Sequence, residues 1–220
     1  RDWFQLSLKE GFTVYRDAQF SSDMNSPTVK RIEDVAFLRT HQFAEDGGPM
    51  AHSVQPDSYM EINNFYTVTI YEKGAEVVGM YRTLLGEKTF RAASDLYFQR
   101  HDGEAATVEN FVVAMEDASG RDLSQFRRWY HQSGTPVLDV TSSFDPEGAT
   151  YTLEFTQHCP DTAGQTDKKP FVIPVTLGLV DAAGEDMGLN QAGDREITLE
   201  LNEKHQRITF DNISAEPVPS

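Results

Sequence analysis

The chain has 220 residues, 39% of them hydrophobic and 25% charged, which is ordinary globular material for one large domain or two modest ones. Asp and Glu number 35 against 19 Lys and Arg, and the formal net charge of -16 argues against binding to nucleic acid or to an anionic membrane surface. The single cysteine, Cys159, excludes an internal disulfide and a cysteine zinc knuckle and fits a reducing compartment.

Residues 1–17 read as a helix with Trp3, Leu6, Gly11 or Glu10, and Val14 near one stripe. The chain starts without Met or a signal-peptide pattern and opens directly on this helix, which suggests a piece of something longer. A second helix is expected from the capping pair Ser26-Pro27 to about Arg39, with Val29, Ile32, Val35 or Ala36, and Phe37 inward. After a loop punctuated by Gly47-Gly48-Pro49 and Gln55-Pro56-Asp57, a long buried helix is expected over 63–85, closed by Gly86. Shorter helices are expected over 87–100, 107–117 and 122–130, with Thr107 and Asp122 as N-caps. No apolar run approaches the roughly 20 residues of a membrane span.

The character changes near Gly134. Beyond it apolar residues alternate, Thr and Val are enriched, and strands are expected over 137–143, 150–157, 171–180, 196–201 and 206–211. Asp145-Pro146-Glu147-Gly148 is a turn between the first two. Tyr151, Leu153 and Phe155 alternate with Thr152, Glu154 and Thr156, giving one wet face. The tail from Ser214 is expected to fray. The fold class is thus α+β and multidomain, a helical part over 1–134 followed by a small antiparallel β-sandwich over 135–220.

Chemistry is sparse on the residues alone. None of the six histidines is followed by Glu and no two lie four apart, so the helical H-E-x-x-H zinc signature is absent, and each His reads as a surface or capping residue. There is no G-x-S-x-G elbow and no Gly-rich phosphate loop. Cys159 beside His158 on a strand end does not pair with it, because successive strand side chains point to opposite faces. Glu10, Asp17, Tyr71 and Glu72 remain, each readable as a solvated carboxylate or a core tyrosine.

Two motifs change that reading. The run Leu8-Lys9-Glu10-Gly11-Phe12-Thr13-Val14-Tyr15-Arg16-Asp17 resembles the segment that carries the third zinc ligand in the aminopeptidase N family of gluzincins. The run Asn63-Asn64-Phe65-Tyr66-Thr67, leading into Tyr71-Glu72-Lys73-Gly74-Ala75-Glu76-Val77, is similar to that family's catalytic tyrosine motif. Arg1-Asp2-Trp3-Phe4-Gln5-Leu6, Met50-Ala51-His52, His101-Asp102-Gly103, Phe126-Arg127-Arg128-Trp129-Tyr130 and Ser133-Gly134-Thr135-Pro136 look like the bacterial cytosolic branch, so a cytoplasmic location is expected.

The resemblance implies the second, all-α half of a thermolysin-like catalytic domain through about Gly134, then most of an Ig-like sandwich that lacks its last strands. It implies a zinc metallo-aminopeptidase acting on peptides with a free N-terminus, with Glu10 as zinc ligand and Tyr71 as oxyanion donor. Asp17 is expected to hydrogen-bond a zinc-bound imidazole and so orient it, and Tyr66 and Glu72 to line the pocket.

The departures are as informative. Only nine residues precede Glu10, so both zinc histidines and the general-base Glu are expected upstream, and the G-A-M-E-N-type amine-binding motif and the C-terminal helical domain are missing. The chain by itself is therefore expected to hold no zinc at high occupancy, to be inactive, and to depend on the remaining domains of its parent. The competing expectation is a non-catalytic helical-plus-sandwich module that binds a protein partner.

Overall fold

The computed structural model describes residues 2–220. The chain divides into two compact units, one of Arg1–Thr135 with Cys159–Lys169, the other of Pro136–His158 with Pro170–Ser220.

In the helical unit, a 3-10 turn at Trp3–Gln5 leads into α1, Leu6–Met24. The helix runs well past the expected end at 17, because residues 18–24 contain no breaker and the stop comes only at Asn25, ahead of Ser26-Pro27. α2, Pro27–Phe37, starts as expected, with the Ser26 side chain accepting from Val29 N at 3.4 Å and Pro27 in the first turn. The inward stripe expected for α2 is corrected: it has no buried residue, and Val29, Ile32 and Phe37 are exposed. The half-buried positions are instead Lys30, Asp34 and Val35, and the Lys30 ammonium bonds the Asp34 carboxylate one turn on. A charged pair thus takes the inner positions and turns the apolar stripe outward. The chain then passes through a π turn, Leu38–Gln42, into α3, Phe43–Asp46.

The long helix expected over 63–85 is also corrected. A 3-10 turn covers Ile62–Phe65, residues 66–67 are not helical, a second π turn covers Thr69–Lys73, and only then does α4, Gly74–Leu85, begin. The β-branched run Thr67-Val68-Thr69 is a poor helix interior, and the Thr67 hydroxyl caps the new start by accepting from Ile70 N at 3.2 Å. Gly86, at φ 79°, ends α4 and opens α5, Glu87–His101.

α6, Val108–Ser119, carries the expected cap, the Thr107 hydroxyl accepting from Asn110 N while the Asn110 side chain accepts from Thr107 N. The helix expected over 122–130 shrinks to α7, Arg128–His131. The Asp122 side chain accepts from Ser124 N at 2.8 Å and makes a turn rather than a sustained helix. Val77, Tyr81, Phe111, Met115 and Phe126 fill the interior, with the Tyr81 and Phe126 rings 4.3 Å apart.

The second unit is two three-stranded antiparallel sheets. β1 (Val137–Asp145), β2 (Thr150–His158) and β5 (His205–Asp211) lie in the order β1-β2-β5. β3 (Ile173–Val180), β4 (Glu196–Leu201) and β6 (Val218–Pro219) lie in the order β4-β3-β6. Their inner faces meet in one apolar core that includes Tyr151, Leu153, Phe155, Leu179, Leu201 and Ile213. The expected turn closes the β1–β2 hairpin, with Asp145 accepting from Glu147 N.

Two expectations change here. Thr152 is buried rather than wet, and its hydroxyl bonds that of Thr209 across the strands. The tail does not fray: Val218 and Pro219 pair with Val180 and Leu179, and Ser220 exchanges both backbone hydrogen bonds with Gly178. Buried Gln157 bridges strands with its amide, accepting from Phe171 N at 2.8 Å and donating to Phe171 O and Glu203 O.

Candidate active site

The site is set by a backbone crossing. α1 and α4 meet at two glycines, and a Cβ on Gly11 would stand 2.7 Å from the Gly74 carbonyl carbon and 2.9 Å from its oxygen. No side chain larger than hydrogen fits between them. The contact therefore fixes the heights of Glu10, one residue before Gly11, and of Tyr71, three residues before Gly74. Gly11→Ala is expected to lower stability by about 1–3 kcal/mol by forcing the helices apart. Gly74→Ala is expected to cost less, because its nearest foreign atom is 3.3 Å away. Thermal melts of the two variants check the order, and equal losses would contradict it.

Around that crossing the structure brings Glu10, Tyr66 and Tyr71 together. The Glu10 side chain is only 15% exposed and pairs with the exposed Lys9 ammonium at 2.8 Å. The Lys9 pKa is pushed up, first by that hydrogen bond and then by the Glu10 charge. The Tyr71 phenol is held above its ordinary range, first by desolvation, then by the charges of Glu10 and Tyr66 and by hydrogen bonding to Glu10. The Tyr66 and Tyr71 rings lie 6.3 Å apart, and the Trp3 ring lies 6.3 Å from that of Tyr66. Leu6, Phe65 and Ile70 form the apolar floor against which Tyr71 packs.

Asp17 and Glu72 are placed in a second group, a depression lined by Val14, Asp17, Lys30, Asp34, Glu72 and Glu76. Burial first, then the charge of Asp34, raises the Glu72 pKa, while Lys30 opposes them.

Lys73 itself is buried, and its ammonium donates to Asp46 at 2.7 Å and to Gly134 O at 2.9 Å. Asp46 also accepts from Gly134 N and the Thr135 hydroxyl. One residue earlier, Glu45 accepts from Thr69 N at 2.9 Å and from the Thr69 hydroxyl at 2.6 Å. His52 is partly buried, with Nε2 3.9 Å from the same Glu45 oxygen, and is not the surface histidine expected. The sequence reading missed Glu45, Asp46 and Lys73. Their partners lie 24 or more residues away, and no short-range pattern joins them.

Chemically, a shielded carboxylate beside a protonated phenol offers one hard anionic ligand and one neutral donor aimed at the same space. Among the described residues no group of three or more His, Cys, Asp and Glu converges. Glu10 offers a carboxylate of the kind that a divalent metal takes as one ligand among several.

The model of the "Peptidase family M1 domain" matches residues 1–130. The chain belongs to peptidase family M1. A second family model, a domain of unknown function (DUF3458) with an Ig-like fold, matches residues 134–220, in keeping with the two sheets. The chain is 52% identical to aminopeptidase N of Escherichia coli and 51% identical to that of Haemophilus influenzae, each over its whole length. It spans 25% of the length of either relative. Among solved structures, Legionella pneumophila aminopeptidase A in complex with aspartic acid is similar over 100% of this chain and 23% of that one, with a TM-score of 0.81 at 29% identity. The family and the α+β architecture expected from the two motifs are therefore those of the chain: the helical part of a thermolysin-like domain followed by an Ig-like sandwich.

Proposed function

We propose that this chain is a segment of a zinc aminopeptidase that hydrolyses the first peptide bond of peptides with a free N-terminus. The observation that carries the reading is the placement of the Tyr71 phenol beside the shielded Glu10 carboxylate in an M1-family chain. Glu10 would be one zinc ligand, and the other ligands, with the general base, would come from parts of the longer protein outside these residues. When bound, the metal supplies Lewis-acid activation of water and of the scissile carbonyl.

The chain's own residues do the rest. Glu10 presents a carboxylate from a helix whose position Gly11 fixes. Tyr71 keeps its proton and donates it as a hydrogen bond to the oxygen on which negative charge develops, an interaction that strengthens as the transition state forms. Tyr66 stands beside the phenol, its ring 6.3 Å from that of Tyr71. Asp17 would orient a liganding imidazole through its carboxylate, and Glu72 would line the pocket beside it.

The reading is tested on the longer protein that contains this segment. One zinc per chain is expected by elemental analysis, with activity on aminoacyl anilides. Glu10→Ala is expected to lose stoichiometric zinc and activity together while the protein stays folded. Full zinc occupancy in Glu10→Ala would remove Glu10 from the ligand set.

A further inference from the structure

We infer that Glu45 is a positioning residue for Tyr71, holding open the π turn that aims the phenol at Glu10; this rests on the site reading above. Tyr71 is the middle residue of the π turn Thr69–Lys73, directly ahead of α4. A π turn holds one residue more than the α-helical path, so it does not persist without outside support, and such turns gather at functional sites. Here the following residue, Gly74, is pinned by its backbone contact with Gly11. If the turn relaxed to α geometry behind a fixed Gly74, the side chains ahead of it would rotate by roughly 100°, one residue's step. Tyr71 would then leave Glu10, and buried Ile70 would turn with it.

The support comes from two consecutive residues of α3. Asp46 holds the far end of the turn through Lys73 at 2.7 Å. Glu45 holds the near end, one oxygen accepting both Thr69 N at 2.9 Å and Thr69 Oγ1 at 2.6 Å. Its charge also faces the positive end of the helix that starts there. Gln42, from the first π turn, adds a hydrogen bond to Thr69 Oγ1 at 3.3 Å. Nε2 of His52, buried and with no hydrogen-bond partner, stands 3.9 Å from the same Glu45 oxygen. Glu45 is thus partly shielded, with one carboxylate oxygen directed at Thr69. Glu45 acts through Thr69 and the backbone, which is why it is a positioning residue and not a catalytic one.

The test uses the full-length enzyme that carries this segment, with variants Glu45→Ala, Glu45→Gln, Thr69→Val and Tyr71→Phe. Glu45→Ala is expected to lower kcat by about 100-fold with little change in KM, the scale of a misplaced catalytic group. Glu45→Gln keeps an acceptor oxygen and is expected to recover most of that loss. Thr69→Val keeps the N–H and removes only the hydroxyl, so it is expected to lose less than Glu45→Ala; it serves if Glu45→Ala does not fold.

In the Tyr71→Phe background, Glu45→Ala is expected to cost little more, because the group it positions is gone. In metal-free enzyme labelled with 13C-tyrosine, the Tyr71 ring signal, assigned by its absence in Tyr71→Phe, is expected to move in Glu45→Ala and in Thr69→Val. Additive losses in the double variant, or an unmoved Tyr71 signal, overturn the positioning role. A Tyr71→Phe enzyme as active as wild type overturns the reading of the site instead, and the ring signal then decides the role of Glu45 by itself.

Discussion

Replacing Tyr71 with Phe in the longer protein is expected to lower kcat by about 10²–10³-fold, or roughly 2.7–4 kcal/mol of transition-state stabilisation. The substitution removes one O–H and little else. The phenyl ring still packs on Leu6, Phe65 and Ile70 and keeps its place beside Tyr66, so the melting temperature should hardly change. KM should change little as well, because the hydrogen bond tightens on charge that is absent from the bound substrate. The raised pKa of the phenol points the same way. In the metal-free protein the group stays protonated further into the alkaline range than a free tyrosine, which an ultraviolet-absorbance titration of that protein checks. Steady-state kinetics on the two proteins check kcat and KM. An unchanged kcat, or a loss confined to KM, would assign Tyr71 to ground-state binding.

Lys73→Met is expected to destabilise the chain by about 3–5 kcal/mol at neutral pH, because it leaves Asp46 ionised, buried and without its cation. The Lys73 and Asp46 side chains are 7% and 0% exposed, so solvent screens the pair very little. In the native chain burial works against the Asp46 charge, but the Lys73 ammonium and the hydrogen bonds from Lys73, Gln42 and Gly134 outweigh it and hold the carboxyl below its ordinary value. A depressed carboxylate contributes stability that is complete above its unfolded pKa, about 3.9, and is lost as pH falls through the lower folded value.

Without the lysine, burial dominates and the folded pKa rises above the unfolded one. The contribution of Asp46 then reverses: it is intact below about pH 3.9 and is lost as pH climbs through the raised value. The stability gap between wild type and variant should accordingly widen from acid to neutral pH. Urea titrations at a series of pH values measure it. A gap independent of pH would mean that Asp46 is not the group left unpaired.

The sequence showed the elements that local chemistry specifies. Ser26-Pro27, Thr107 and Gly86 mark helix boundaries through caps and through a positive φ that need only neighbouring residues. The strands were legible because alternation and turn residues are also local, and Asp145 to Gly148 closes its hairpin as read. The failures share a cause. The break between Phe65 and Gly74, the outward stripe of α2 and the burial of Lys73 depend on contacts made far along the chain. Periodicity cannot distinguish a π turn from a helix, since it records which residues are apolar and not how many occupy a turn. Among the site residues, Glu10 and Tyr71 came from resemblance to motifs and not from spacing. The residues that hold the Tyr71 turn carried no motif, so only coordinates reveal them.

The course of residues 159–169 has a consequence for biosynthesis. This stretch leaves β2 and joins the helical unit, where the Ser133 backbone N–H donates to the Gln165 side chain, Gln165 donates back to His131 O, and Lys168 donates to the Thr162 hydroxyl. A ribosome that has just released Thr135 has therefore not yet delivered the whole helical unit. Its last piece emerges only after β1 and β2 have been made, so the hairpin β1–β2 is available to pair before the helices can close around Ser133. Vectorial synthesis gives the later-encoded strands a head start over the final packing of the earlier-encoded helices. An expression boundary drawn at 134 would likewise remove part of the unit it was meant to isolate.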